Sequence, residues 1–315
     1  MSTQPIFPLL AHDYSPSLVP HAVIYELLPP DVLSSSTSSL PAPKNALVFI
    51  GGLGDGPHTV PAIRAVAATL ATEGTWSVFE VRLNSSFGQW GFSSLREDVR
   101  EIGEVVAYLR EKLGRERVVL MGHSTGCQDC MEYVTKGGQD KLPPVDGIVL
   151  QGPVSDREGF IPLLEQDGRN YYEESLAHAT RLVEAGKGED EYMPRRLLPA
   201  GWDTPVTAYR WRSLISVGGD DDYFSSDLPD EKVAEIWGGI RAKKVLIVPS
   251  EKDEHVPEHI DMRGLVSKWT AACKPGVASG LSGLIVGANH RVEFAEGQDW
   301  LAERVAGFLK EVAEE

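Results

Sequence analysis

The chain has 315 residues, enough for one large domain or a core carrying an inserted subdomain, and enough to bury a sizeable interior. With 42% hydrophobic and 24% charged residues it reads as an ordinary soluble globular protein. A formal net charge of −16 offers no basic surface for phosphates, which excludes nucleic acid as an expected partner; the acidic field would favour a cationic ligand but more commonly just keeps a chain soluble.

The opening "MSTQPIFPLLAHDYS" lacks the basic start and apolar run of a signal peptide, and no stretch is apolar for long enough to span a bilayer. Cys127, Cys130 and Cys273 are too few for a disulfide framework. A cytoplasmic protein with no membrane partner is the expectation. "HAVIYELLP" (21–29) predicts a first strand, and the Ser- and Pro-rich residues 31–44 a turn or loop. "NALVFIGG" (45–52) is a short apolar run ending in glycine, the pattern of a strand buried on both faces. A helix follows over 57–74, a strand over 76–83 and a helix over 93–114, whose Leu95, Val99, Ile102, Val106 and Leu109 share one face. "RVVLMG" (117–122) and residues 145–154 predict two more strands.

The rhythm breaks at 155–242, which hold helical pieces and many aromatics, and resumes with strands at 243–250 and 281–288 and helices over 258–273 and 297–313. Alternating strands and helices imply a mostly parallel sheet flanked by helices. The expected organisation is a core of residues 1–154 and 243–315 with a mainly helical lid, 155–242, inserted between two core strands.

Gly122-His123-Ser124-Thr125-Gly126 is a G-x-S-x-G phrase between a predicted strand and a predicted helix. A serine on that turn is held clear of its neighbours, and the helix beginning beside it aims N–H groups at a developing oxyanion. A nucleophilic serine needs a base, and the base needs an acid to fix its tautomer; in this context their chain order is Ser, Asp or Glu, His. His290 directly follows a late strand and precedes the last helix. Asp253, in "SEKDEHVP", is the candidate acid, with Glu251 in reserve. The oxyanion donors are expected to be the backbone N–H groups of Thr125 and Leu53, the latter from "GGLGDG", with Gly54 as the alternative. That glycine loop does not fit G-x-G-x-x-G, so no nucleotide site is expected. His123 is expected to pack with its ring turned away from the serine. His255 and His259, four apart, lack a third ligand and have Pro257 between them, which argues against a metal pair. The spacing of Cys127, Cys130, Met131 and Val134 is that of one apolar helix face.

In this order, "GGLGDG", "GHSTG", "SEKDEHVP" and "ANHRVEF" resemble the α/β-hydrolase superfamily. Together with "RLNSSFGQWGFSSLREDVREI" and "GGDDDYFSSDL", the elbow phrase resembles a fungal family that includes the SidJ-type siderophore esterases. The resemblance implies an α/β-hydrolase fold and an intracellular serine esterase that cleaves ester bonds of fusarinine-type siderophores, with no cofactor. Its substrate would be a small-molecule ester, including a ferric siderophore that brings its own iron. Gly51-Gly52 stands where the superfamily typically has His-Gly.

Trp90 and Phe92, after the strand 76–83, and Trp211 in the insertion are expected to shape a substrate pocket, unless the aromatics only fill the insertion's own core. Arg195, Arg196, Arg210 and Arg212 would contact carboxylate or hydroxamate oxygens or form surface pairs. The run Asp220-Asp221-Asp222 is either a solvated turn or, at Asp222, a contact for the free amines of a fusarinine-like substrate. Other acyl hydrolases, an acyltransferase and a non-catalytic receptor on the same fold stay open as alternatives.

Overall fold

The computed structural model describes residues 7–14, 22–29, 43–136, 141–166 and 168–315. Residues 31–42 of the expected Ser- and Pro-rich loop lie outside them, as does residue 21 of the first expected strand.

Seven strands form one sheet: β1 (Leu9–Asp13), β2 (Val23–Leu27), β3 (Asn45–Ile50), β4 (Trp76–Val81), β5 (Arg117–His123), β6 (Gly147–Gln151) and, after a two-residue ribbon of β7 (Glu165–Gln166) and β8 (Arg169–Asn170), β9 (Lys244–Val248). The sheet order is β1-β2-β4-β3-β5-β6-β9. β1–β2 and β2–β4 pair antiparallel, and every pair from β4 to β9 is parallel. The parallel strands are buried on both sides because their side chains alternate between two apolar layers. Ala46, Val48 and Ile50 of β3 face one layer while Leu47 and Phe49 face the other; Val118 and Leu120 of β5 oppose Val119 and Met121 in the same way.

Helices α1 (Ala62–Glu73) and α9 (Ala295–Glu314) cover one face. Helices α2 (Leu95–Glu111), α3 (Gly126–Thr135), α7 (Asp230–Gly238) and α8 (Met262–Ala272) cover the other. The α2 stripe read from the sequence is buried as a set, joined by Val105. Its start is capped by Ser94, which accepts the Glu97 N–H while its hydroxyl donates to the Glu97 carboxylate. Among the described residues no helix is long and apolar enough to cross a membrane.

Three differences from expectation stand out. The short edge strand β1 has no counterpart in the sequence reading; only two of its five residues are even half-buried, so it shows no clean alternation. Residues 281–288 form no strand. They run beside β9 with bridges only at Val245–Ala278 and Ser250–Ile285, because the chain turns at 280–281 and the Ser282 hydroxyl takes the Ile247 N–H in place of a backbone carbonyl.

The stretch between β6 and β9 also divides in two. α4 (Asp156–Leu163), α5 (Tyr172–Glu184) and α6 (Ala208–Ile215) gather Phe160, Leu197, Val206, Trp211 and Leu214 into a cluster of their own, closed by Trp90 from the loop after β4. From Tyr223 onward the side chains join the main core, where Trp237 of α7 stacks on Trp269 of α8 at 5.2 Å.

Candidate active site

The carboxyl ends of β3, β5, β6 and β9 point to the same edge of the sheet, where ligands of open α/β sheets bind. Ser124 stands at the β5–α3 junction with φ 53°, a left-handed conformation that costs a non-glycine residue about 1–3 kcal/mol. The flanking glycines are required by contact. A Cβ on Gly122 would lie 2.2 Å from the Gly126 carbonyl oxygen, and one on Gly126 would lie 2.3 Å from that of Ile50. Strand, turn and helix therefore close on one another with no room for a side chain. The Ser124 N–H donates to the Gln151 carbonyl at 3.1 Å, which ties the elbow to the end of β6.

His290 reaches the same place from the loop before α9. It is 4% exposed, and its Nδ1 lies 2.6 Å from Asp253 Oδ2. A carboxylate there makes Nδ1 the donor and leaves Nε2 as the basic nitrogen. The other Asp253 oxygen accepts the His255 N–H, and Glu254 accepts the His290 N–H at 2.9 Å. Glu251 is turned elsewhere, accepting the Gly287 N–H. The His290 ring rests on Gly152, the residue after Gln151: a Cβ there would lie 3.3 Å from His290 Cε1. The structure thus brings Ser124, Asp253 and His290 to one edge.

The glycine-rich loop expected to carry the oxyanion donors packs directly on the serine; a Cβ on Gly52 would lie 2.6 Å from Ser124 Cβ. The Gly52 N–H is taken by Asp55, whereas those of Leu53 and Thr125 meet no protein acceptor among the described residues. The Gly54 N–H likewise meets no protein acceptor among the described residues, so Leu53 and the alternative Gly54 both stay open as the second donor.

A cleft enclosing ≈ 390 Å³, part of it open to solvent, is bounded by Leu53, Trp90 and Thr125 and floored by Asp98, Asp129 and Arg210. Burial pushes Asp98 up to about 7 and Asp156, at the start of α4, up to about 8, and it raises Asp129 as well. Asp129 Oδ1 and Arg210 Nε are buried without a hydrogen-bond partner among the described residues. Asp98 and Asp129 escaped the sequence reading, because each falls inside a helical pattern with nothing local to separate it from a surface acid. A second, more apolar cleft of ≈ 240 Å³, part of it open to solvent, lies between His255, Val256 and Pro257 and Val154 and Phe224.

Several expected contacts are placed otherwise. Trp211 is fully buried in the inserted cluster, its Nε1 donating to the Ser175 hydroxyl at 2.7 Å, and it presents nothing to a ligand. Asp222 is no solvated or ligand-facing carboxylate either. Its side chain is 1% exposed and accepts the Gly218 N–H and the Ser225 hydroxyl, with Arg157 at 3.6 Å. Asp221 is held by Arg210 at 2.7 Å, so two of the three aspartates are consumed by the fold and Asp220 stays exposed. Trp90 does line the cleft, while Phe92 is 42% exposed and meets Tyr192 edge-on. His123, expected only to pack, lies with its ring 4.8 Å from that of His290; His255 lies edge-on to His290 from another side, at 4.6 Å. Cys127 and Cys130 are buried free thiols in the core, as their spacing suggested.

A mostly parallel sheet, a strained serine elbow and a histidine–aspartate pair beyond its edge define an α/β-hydrolase fold. The chain belongs to the family described as "Protein of unknown function (DUF1749)", whose model matches residues 12–310. It is 31% identical over 315 residues to the fusarinine C esterase sidJ of Aspergillus fumigatus, covering 84% of this chain and 88% of that protein. It is 33% identical over 326 residues to esterase AN6793 of Emericella nidulans, covering 85% and 86%. The solved structure of the siderophore hydrolase EstB from Aspergillus fumigatus superposes with a TM-score of 0.78 at 28% identity, covering 98% of each chain.

Proposed function

We propose that the chain is a cytoplasmic serine esterase that hydrolyses ester bonds of fusarinine-type hydroxamate siderophores, iron entering only as substrate cargo. The observation that carries the chemistry is the 2.6 Å His290–Asp253 pair at the edge where Ser124 is held in a left-handed turn. Similarity to fusarinine C esterase sidJ and siderophore hydrolase EstB supports the substrate class.

In this reading Ser124 Oγ attacks the ester carbonyl carbon while His290 Nε2 takes its proton. Asp253 keeps the ring in the required tautomer and stabilises the imidazolium. The oxyanion is met by the Leu53 and Thr125 N–H groups, aided by the α3 N-terminus. His290 then gives its proton to the departing alcohol oxygen, which must lie on the histidine side. Water, deprotonated by His290, attacks the acyl-enzyme; the acyl–Oγ bond breaks, the acid leaves and His290 returns the proton to Ser124 Oγ. Trp90 bounds the acyl side of the site.

The test is incubation of wild type and Ser124→Ala with ferric and iron-free fusarinine-type esters, the products read by mass spectrometry. Wild type should release the open-chain acids, and Ser124→Ala should be slower by about 10⁶-fold. Equal turnover by the variant would remove Ser124 from the mechanism. An active protein that spares siderophore esters but cleaves simple acyl esters would replace the substrate class.

A further inference from the structure

The loop carrying Leu53 and the loop carrying His290 are joined through one carboxylate, which is only 6% exposed. Asp55 Oδ2 accepts the Gly52 N–H at 3.2 Å, and the Asp55 N–H returns to the Gly52 carbonyl at 3.0 Å. The turn Gly52-Leu53-Gly54-Asp55 is thus closed from both sides, with the Leu53 N–H left free. Asp55 Oδ1 accepts Arg291 Nη1 at 3.0 Å and the Thr59 hydroxyl at 2.8 Å. Arg291 is the residue after His290, and its Nη2 donates to the Thr59 carbonyl.

A second route closes the circuit. Asp55 Oδ2 lies 3.8 Å from His123 Nε2; His123 Nδ1 lies 2.6 Å from Gln151 Oε1; and Gln151 Nε2 donates to the His290 carbonyl at 3.2 Å. The oxyanion loop and the histidine loop are therefore hydrogen-bonded through Asp55 and Arg291, the elbow's His123 is hydrogen-bonded through Gln151 to the histidine loop, and His123 and Asp55 meet in a 3.8 Å contact. Burial pushes His123 down to about 3, so it stays neutral at working pH and Arg291 is left as the counter-charge to Asp55.

An oxyanion donor is effective only if it is fixed before the charge develops, and an error of about 1 Å is enough to spoil it. We infer that Asp55 is a positioning residue that fixes the Leu53 N–H relative to His290, with Arg291 as its tether on the histidine loop. The inference rests on the esterase reading. It also explains why an aspartate is needed. Both oxygens accept, and they face donors on both sides; an asparagine of the same shape would turn its NH₂ against either the Gly52 N–H or Arg291.

The test uses a trifluoromethyl ketone, which adds to an active serine and places an oxyanion in the hole. Asp55→Asn should weaken ketone Ki by about 10- to 100-fold and lower kcat on a p-nitrophenyl ester comparably, with KM within about threefold. Arg291→Met, at a side chain one-third exposed, should shift Ki and kcat in the same direction without unfolding the protein. The double variant should be little worse than the poorer single, because the two act as one unit. If wild type binds the ketone and both variants bind it within about threefold as tightly, Asp55 has no such role. If wild type neither binds the ketone nor is acylated at Ser124, the esterase reading fails and takes this inference with it.

Discussion

Gly52→Ala is the most direct probe of how closely the oxyanion loop approaches the nucleophile. The added Cβ would lie 2.6 Å from Ser124 Cβ and 3.1 Å from both Ser124 Oγ and the His123 carbonyl oxygen. Carbon atoms rest about 3.5–4.0 Å apart, so roughly 1 Å of displacement must be absorbed. The elbow cannot yield, since Ser124 is bonded to Gln151 and Gly126 is wedged against the Ile50 carbonyl. The oxyanion loop moves instead and takes the Leu53 N–H with it. Loss of one donor costs about 2.7–4 kcal/mol of transition-state stabilisation, or about 10²–10³ in kcat. Overpacking costs about 1–3 kcal/mol of stability, and each kcal/mol lowers Tm by roughly 2–4 °C. Both are readable on one preparation: kcat on a p-nitrophenyl ester, normalised to sites titrated with a fluorophosphonate, and a thermal melt. A variant with kcat within about threefold of wild type and an unchanged Tm would show that the loop does not abut Ser124 as described.

Two further substitutions test neighbouring parts of the site. Asp253→Asn should lower kcat by about 10⁴-fold on the same ester, by favouring the wrong His290 tautomer; a loss below about tenfold would place the acid elsewhere. Asp98→Asn tests the floor of the cleft through the pH dependence of stability. Burial raises Asp98 to about 7, so between about pH 4 and pH 7 the folded state holds a proton that the unfolded state releases, and stability falls as pH rises. The variant has no such proton, so its Tm relative to wild type should be higher at about pH 7.5 than at about pH 4.5. A constant difference would mean that Asp98 is ionised throughout.

The features legible in the sequence are those whose cause is local. The elbow is readable because an apolar run, two glycines and a helical period meet within a few residues, and the steric contacts at Gly122 and Gly126 show why both glycines are present. Asp253 is readable because it follows the end of β9, and His290 because of its place in the chain order before the last helix, although the strand expected before it does not form. What escaped depends on distant segments. Nothing near Asp55 announces Arg291, and nothing near His123 announces Gln151. A run of three aspartates reads as solvated until Arg210, Ser225 and the Gly218 N–H draw two of them inward. The expected strand at 281–288 has a suitable apolar pattern, yet a serine hydroxyl where a carbonyl is needed prevents a continuous ladder.

The bond from Arg291 to Asp55 spans 236 positions of the chain. During synthesis the glycine-rich loop and the serine elbow leave the ribosome before the arginine bonded to Asp55 and before His290. On the proposed esterase reading, a nascent chain would hold the serine without its base until the last segment docks.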